Sequence, residues 1–197
     1  MIYSFIKRLF DIVISLIVLP FIFILSFFIA FFIKLEDRGK VLYVSQRIGK
    51  NFKVFGMYKF RTMIENAPNI LNEDGSTYNS KDDFRVTKIG KFLRETSLDE
   101  LPQFWNVLKG DMSIIGPRPG DLESIDTYQE DEKPKMKVKP GITGYTQAYF
   151  RNSLNTREKR LYDAWYAENK SILLDIKIFF KTLITVIKKD NIYTNNK

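Results

Sequence analysis

The residues from Ile12 to Ile33 form an unbroken run without a charge, in which Ser15 and Ser26 are the only polar side chains. No other feature of the chain restricts its fold as strongly. Coiled as a helix at about 1.5 Å per residue, the run is long enough to cross a hydrocarbon layer of ~30 Å. It does not read as a cleaved signal peptide. Lys7 and Arg8 would serve as a positive n-region, but the run exceeds the usual ~7–15 residues and no small-residue cleavage site follows. The flanks bear on its topology. Lys7 and Arg8 precede the run, and Lys34, Arg38, Lys40, Arg47, Lys50 and Lys53 follow it. Positive charge stays cytoplasmic, so both flanks ask to be on the same side. Pro20 lies inside the run, where it removes a backbone hydrogen bond that lipid cannot replace. A helix that enters and returns satisfies both observations, and a kinked span satisfies most of them. The residues alone leave the two open.

The rest of the chain contains no cysteine and no histidine. Disulfides, thiolate metal sites, serine–histidine triads and the usual general base near neutrality are therefore excluded. Catalysis has to use carboxylates, lysine, tyrosine, hydroxyls or an oxygen-bound metal ion. Lysine and arginine number 31 against 23 aspartates and glutamates, a net charge of +8 over 197 residues. This excess implies a polyanionic partner: nucleic acid, anionic lipid or a phosphorylated substrate.

After the apolar run, alternation in Val41–Ser45 and Lys53–Tyr58 around Ile48-Gly49-Lys50-Asn51 predicts a short strand pair joined by a turn. Residues 64–84 are rich in Asn, Asp, Ser and Gly and read as a mobile surface loop. Ile89, Phe92 and Leu93 begin a helical stripe, and a second helix is expected from Leu101 to Leu108, stopped by Gly110. Met112–Ile115 reads as a brief buried strand, 120–139 as charged loop or helix, and Pro140–Gly144 as a rigid turn. Near the C-terminus Leu173, Ile176, Phe180, Leu183 and Ile187 share one helical face, with Lys177, Lys181, Lys188 and Lys189 elsewhere around it. Such a stripe packs on a core or lies on anionic headgroups. The Asn-rich end reads as a frayed tail.

Three clusters stand out as chemistry: Tyr58–Met63, Arg94–Gln103 and Gly116-Pro117-Arg118-Pro119. Each has an ordinary explanation. Lys59 and Arg61 fit a solvated strand face, Ser97-x-x-Glu100 fits a helix capping box, and the third fits a chain reversal. Pro102 sits better as the first residue of the following helix than inside it. Taken together, adjacent carboxylates at a helix start beside arginines and a lysine suit a diphosphate and a divalent cation. A carboxylate attacking phosphorus to give an acyl-phosphate is open to a chain without histidine or cysteine.

Ser97-Leu98-Asp99-Glu100-Leu101-Pro102-Gln103, followed by Asn106–Ser113 and Gly116–Pro119, closely resembles the bacterial sugar transferase family, the monotopic phosphoglycosyl transferases. Lys7-Arg8-x-x-Asp11, Gln46–Gly49, Tyr58–Met63, Pro140–Gly144 and Asp175-Ile176-Lys177 match as well, so the resemblance covers nearly the whole chain in a minimal single-domain form. It implies transfer of a sugar phosphate from a UDP-sugar to polyprenyl phosphate with release of UMP, the first membrane step of polysaccharide or glycoconjugate synthesis. It further implies Asp99 as nucleophile and Mg²⁺ ligand, Glu100 as its dyad partner, and Arg118 as a phosphate-binding arginine. Arg94, Lys59, Arg61, Gln147 and Arg151 are further candidates for substrate or phosphate binding. The membrane helix (1–34) is expected to re-enter on the cytoplasmic face of the bacterial inner membrane. A cytoplasmic catalytic domain (35–190), a flexible tail (191–197), and downstream glycosyltransferases as partners complete the expectation.

Two positions depart from the family pattern. The proline break is Leu19-Pro20 rather than a Ser-Pro pair near mid-segment, and Tyr149 and Phe150 replace small or polar residues, which bears on sugar or base preference. The fold expected is helix-rich α+β, with a re-entrant helix, a small strand element and amphipathic interfacial helices. The alternative function is a non-catalytic membrane scaffold that binds anionic lipid. Nucleic acid is not expected as a partner, because no helix-turn-helix or aromatic RNA motif accompanies the charge.

Overall fold

The computed structural model describes residues 2–70, 72 and 78–188. It begins with one long helix, α1 (Ile2–Asp37), which contains Pro20. The hairpin strands β1 (Leu42–Ile48) and β2 (Val54–Phe60) follow. Helices α2 (Lys88–Thr96) and α3 (Gln103–Lys109) lead to strands β3 (Ser113–Ile115), β4 (Gly120–Asp121) and β5 (Gly141–Thr143). The chain ends in α4 (Tyr145–Tyr149), α5 (Thr156–Asn169) and α6 (Ile172–Lys188). The α+β, helix-rich expectation holds.

The strand pair forms as its alternation predicts. β1 and β2 are antiparallel from Leu42↔Phe60 to Ile48↔Val54, and β4 joins the other edge of β1. Pro140–Gly144, expected as a turn, instead supplies β5, which runs parallel to β3. The stretch 120–139 divides into β4 and two 3-10 helices, Leu122–Thr127 and Lys133–Lys137. In the loop after β2, Arg85 is buried and bonded through its guanidinium to Asp83, Pro68 O and Tyr78 O. The expected tail lies outside the described residues.

The apolar surface of α1 is turned outward. Its buried positions are Asp11, Ser15, Ile22, Ile29 and Ile33, spaced by four and seven residues and hence on one face. Phe21, Phe23 and Phe27 are at least 70% exposed. Water would penalise such a surface; lipid would not. Ile29 and Ile33 pack with Phe60 and Leu93, while Ile14 packs on the main core of Phe55, Met57, Val107, Met112 and Ile115.

Both ends of α1 are clasped to the same domain. At the N-terminal end, Tyr3 Oη and Lys7 Nζ donate to Asp175 of α6 at 2.9 and 2.5 Å. Arg8 donates to the last carbonyls of α3, and Asp11 accepts from Ser113 Oγ and Ile114 N. At the other end, Glu36 accepts from the Lys88 and Ile89 amides, two of the unpaired donors that open α2. Asp37 pairs with Arg61.

Helix α6 has the same inverted character. Its inward groups are Asp175, Ile178, Thr182 and Thr185, the last two bonded to Thr143 and to Ala148 O. Leu173, Phe180 and Ile187 are 60–80% exposed. The stripe read from the sequence therefore faces away from the core.

Candidate active site

Helix α2 ends where Ser97 takes a left-handed conformation, φ 58°. A 3-10 turn over Leu98–Glu100 then carries both carboxylates, and Pro102 opens α3. The Ser97 hydroxyl caps no helix here; the break at Ser97 redirects the chain so that Asp99 turns inward and Glu100 toward the hairpin. Gly90 is needed one helix earlier. A Cβ there would lie 2.0 Å from Thr62 O, so only glycine lets α2 rest against the end of β2. That contact brings Arg94 Nε to Thr62 Oγ1 at 2.9 Å.

Lys59 projects from β2 and donates to Glu100 Oε1 at 2.8 Å. Arg118, in the Gly116–Pro119 turn between β3 and β4, stands 3.6 Å from the same oxygen, with its side chain 54% exposed. The turn is seated closely: a Cβ on Gly144 would fall 2.0 Å from Gly116 O and 2.9 Å from Gln147 Oε1. Gln147 thus lies beside the turn that carries Arg118. Its Oε1 accepts from Thr146, and its Nε2 is enclosed without a hydrogen-bond partner among the described residues.

The two adjacent carboxylates behave oppositely. Burial pushes Asp99 up to about 6; Lys59 pulls it down and the charge of Glu100 pushes it up again. Burial also acts to raise Glu100, but Lys59 and Arg118 outweigh it and bring it down to about 2. Arg94 and Arg118 add positive potential at Asp99. The result is one firmly ionised carboxylate held by cations, beside one that is desolvated and makes no ion pair among the described residues. Burial and a like-charged neighbour, set against one close cation, account for the split.

Of the residues singled out in the sequence, the fold brings Asp99, Glu100, Lys59, Arg94 and Arg118 together, with Gln147 against the Arg118 turn. Arg61 goes elsewhere. Its guanidinium is committed to Asp37, Lys40 O and Met63 O, so it anchors the end of α1 and does not face the dyad. Arg151 follows α4 with φ 49°, its amide bonded to Thr146 O. Tyr149 and Phe150 join an aromatic cluster with Tyr145, Tyr162 and Trp165. Arg47 was not among the site candidates, although Gln46–Gly49 is one of the matching segments. It pairs with Asp121 and feels the positive charge of Arg118; its place in strict alternation with Ser45 on β1 was the available signal.

Among the described residues, no three carboxylates gather as metal ligands. The donors open to Mg²⁺ are Asp99 and a Glu100 already engaged by Lys59 and Arg118. That set fits an ion that keeps several waters and takes its other oxygens from a substrate diphosphate.

The family model described as bacterial sugar transferase matches residues 2–189. The chain belongs to the bacterial sugar transferase family. Among its curated relatives, the undecaprenyl-phosphate galactose phosphotransferase of Salmonella typhimurium is 38% identical over 200 residues, covering 96% of the chain and 42% of the relative. The UDP-N-acetylgalactosamine-undecaprenyl-phosphate N-acetylgalactosaminephosphotransferase of Aeromonas hydrophila is 41% identical over 192 residues, covering 94% and 44%. A Bacillus subtilis protein named "Uncharacterized sugar transferase EpsL" is 36% identical over 190 residues, covering 96% and 91%. This member of the sugar transferase family therefore spans less than half the length of the first two relatives and most of the third.

Proposed function

We propose that the protein moves a sugar phosphate from a UDP-sugar to polyprenyl phosphate through a covalent intermediate on Asp99. The observation that carries this reading is the split dyad, a desolvated carboxylate beside one pinned by Lys59 and Arg118. At pH 7.5 Asp99, with its pKa near 6, is mostly ionised, and its burial leaves it poorly hydrated and reactive. Its carboxylate oxygen attacks the phosphorus that bears the sugar. The bond from that phosphorus to the bridging oxygen breaks, and UMP leaves with the electron pair. A phosphate oxygen of the polyprenyl acceptor then attacks the same phosphorus. This step frees the Asp99 carboxylate and gives polyprenyl-diphosphate-sugar, a membrane-held product suited to later glycosyltransferases. Arg118 and Lys59 hold and neutralise phosphate oxygens during both displacements. Mg²⁺, held by Asp99 and the diphosphate, would offset the charge on those oxygens.

The topology follows the same logic. One substrate is soluble and the other is anchored in lipid, so the dyad has to lie at a membrane surface. The clasps at Asp175 and Asp11 and those at Glu36 and Arg61 hold both ends of α1 to one domain. This supports a re-entrant helix that enters and leaves on the cytoplasmic face of the inner membrane, with α6 laid along the headgroups.

A panel of UDP-sugars with polyprenyl phosphate and Mg²⁺, read by UMP release, tests the reading. Wild type should release UMP with at least one donor, and Asp99→Asn should release none above background. Release by neither protein would favour the lipid-binding scaffold.

A further inference from the structure

The register of the hairpin places a second guanidinium in the site. Tyr43, Ser45 and Arg47 of β1 stand opposite Lys59, Met57 and Phe55 of β2. Residues directly opposite share a face, so Arg47 and Lys59 project from the same side of the hairpin, separated by about 13 Å along the strand. Glu100 takes the Lys59 end of that face. At the Arg47 end, the pairing of Ile48 with Gly120 and of Arg47 with Asp121 draws in the preceding turn. Ile48, Gly49, Pro117 and Arg118 line one small cavity.

The end of β1 that carries Arg47 and the turn that carries Arg118 therefore meet at one end of the site. Burial, followed by the positive charge of Arg118, lowers Arg47 to about 10. Like charges held together by a fold call for an anion between them. Among the described residues Glu100 and Glu123 offset the charge on Arg47 from a distance, and the direct pairs are loose. Arg118 stands 3.6 Å from Glu100, a carboxylate already bonded to Lys59. Arg47 rests on Asp121, whose side chain is 48% exposed, and its Nε is steadied by Ser45 Oγ at 2.9 Å. An exposed carboxylate is a weak and replaceable partner, whereas a phosphate fits the planar fork of an arginine with two parallel bonds.

We propose that Arg47 is a second diphosphate-binding guanidinium, parked on Asp121 and transferred to the donor's phosphates when a nucleoside diphosphate sugar enters. Asp121 then acts as a competitor for the fork. The proposal rests on the sugar-phosphate transfer reading above, and its test separates the two.

The experiment measures binding of UDP, as a diphosphate probe, to the full chain in detergent or nanodiscs for wild type, Arg47→Lys, Asp121→Asn and the double variant. Thermal unfolding of each is recorded alongside, and intact mass is followed after incubation of wild type with donor. Arg47→Lys should weaken UDP binding by about tenfold or more, the size of a charge-assisted hydrogen bond. Asp121→Asn should tighten it roughly two- to fivefold, because the competing charge of a weak exposed pair is gone. In the Arg47→Lys background, Asp121→Asn should give no gain. If Asp121→Asn weakens UDP as Arg47→Lys does, the pair is a structural brace and the proposal is overturned. Equal UDP affinity in wild type and Arg47→Lys overturns it as well. If Arg47→Lys fails to fold, the sign of the Asp121→Asn effect decides alone. A wild type that binds UDP as expected but forms no donor adduct contradicts the transfer reading and leaves the Arg47 assignment standing.

Discussion

Lys59, near the end of β2, and Arg61, just beyond it, lie two residues apart and enter two different kinds of charge cluster. Around Arg61 the charges are matched. One guanidinium meets one carboxylate, Asp37, and its remaining bonds go to the carbonyls of Lys40 and Met63. Around Lys59 they are not matched. Lys59 and Arg118 share Glu100, Arg94 adds charge at Asp99, and Arg47, paired with Asp121, feels the positive charge of Arg118. A matched cluster is complete without a ligand and ties α1 to the domain. An excess of cations around a desolvated carboxylate is incomplete without an anion. The comparison separates architecture from chemistry across two neighbouring positions at the end of β2, which residue type alone does not do.

The strongest way to break this contrast is at the dyad. Asp99→Asn should lower turnover by about three orders of magnitude or more, since an amide cannot form the acyl-phosphate. Its effect on stability should have the opposite sign. Asp99 has a raised folded-state pKa, so its ionised form is disfavoured by the fold above about pH 6, and stability is gained as pH falls toward the ordinary carboxylate range. The uncharged variant should therefore melt higher than wild type at pH 7.5, and the gap should close as pH falls from about 6 toward the ordinary carboxylate range. A variant that melts lower at pH 7.5 would contradict the desolvated nucleophile.

At the matched cluster the expected loss is of the other kind. Arg61→Met removes the buried partner of a pair whose carboxylate, Asp37, is exposed, and should cost about 1–2 kcal/mol of stability in denaturant unfolding. Adding Asp37→Asn should cost less than the sum of the two single changes. Turnover per folded molecule should stay near wild type. A selective loss of turnover without loss of stability would move Arg61 into the active site.

Part of this contrast was legible in the sequence and part was not. The dyad, Lys59 and Arg118 lie in distinctive local motifs, and Gly110, at φ 90°, stops α3 where a glycine stop was expected. Alternation was enough for β1 and β2. Arg61 was read as a phosphate ligand because its partner, Asp37, lies 24 residues away on a different element. β5 is three residues long and pairs with a strand that is not its neighbour in sequence, so no local period announces it. For α6 the period was visible but its direction was not. Asp175 is held inward by Tyr166 of α5 and by Tyr3 and Lys7 of α1, tertiary contacts that no local period announces.

Arg118→Lys sharpens the comparison at intermediate size. An ammonium keeps the charge but loses the fork, and kcat/KM should fall by roughly 10–100-fold, about 1.5–3 kcal/mol. An unchanged kcat/KM in a folded protein would remove Arg118 from phosphate binding. The smallest effect is on pH. The rate should fall on the acid side around pH 6 as Asp99 protonates, and Lys59→Met should move that limb to higher pH, because Lys59 holds the Asp99 pKa down. A limb that stays in place would mean that Lys59 acts on Glu100 alone.

The central claim is covalent attack by Asp99, and intact mass spectrometry after acid quench tests it most directly. Wild-type protein incubated without acceptor, using a UDP-sugar that supports UMP release, should gain the mass of one sugar phosphate. The added mass should map to Asp99, disappear when polyprenyl phosphate is supplied, and never form on Asp99→Asn. Steady UMP release with the protein unmodified at every time point, or an adduct on any other residue, would contradict the account.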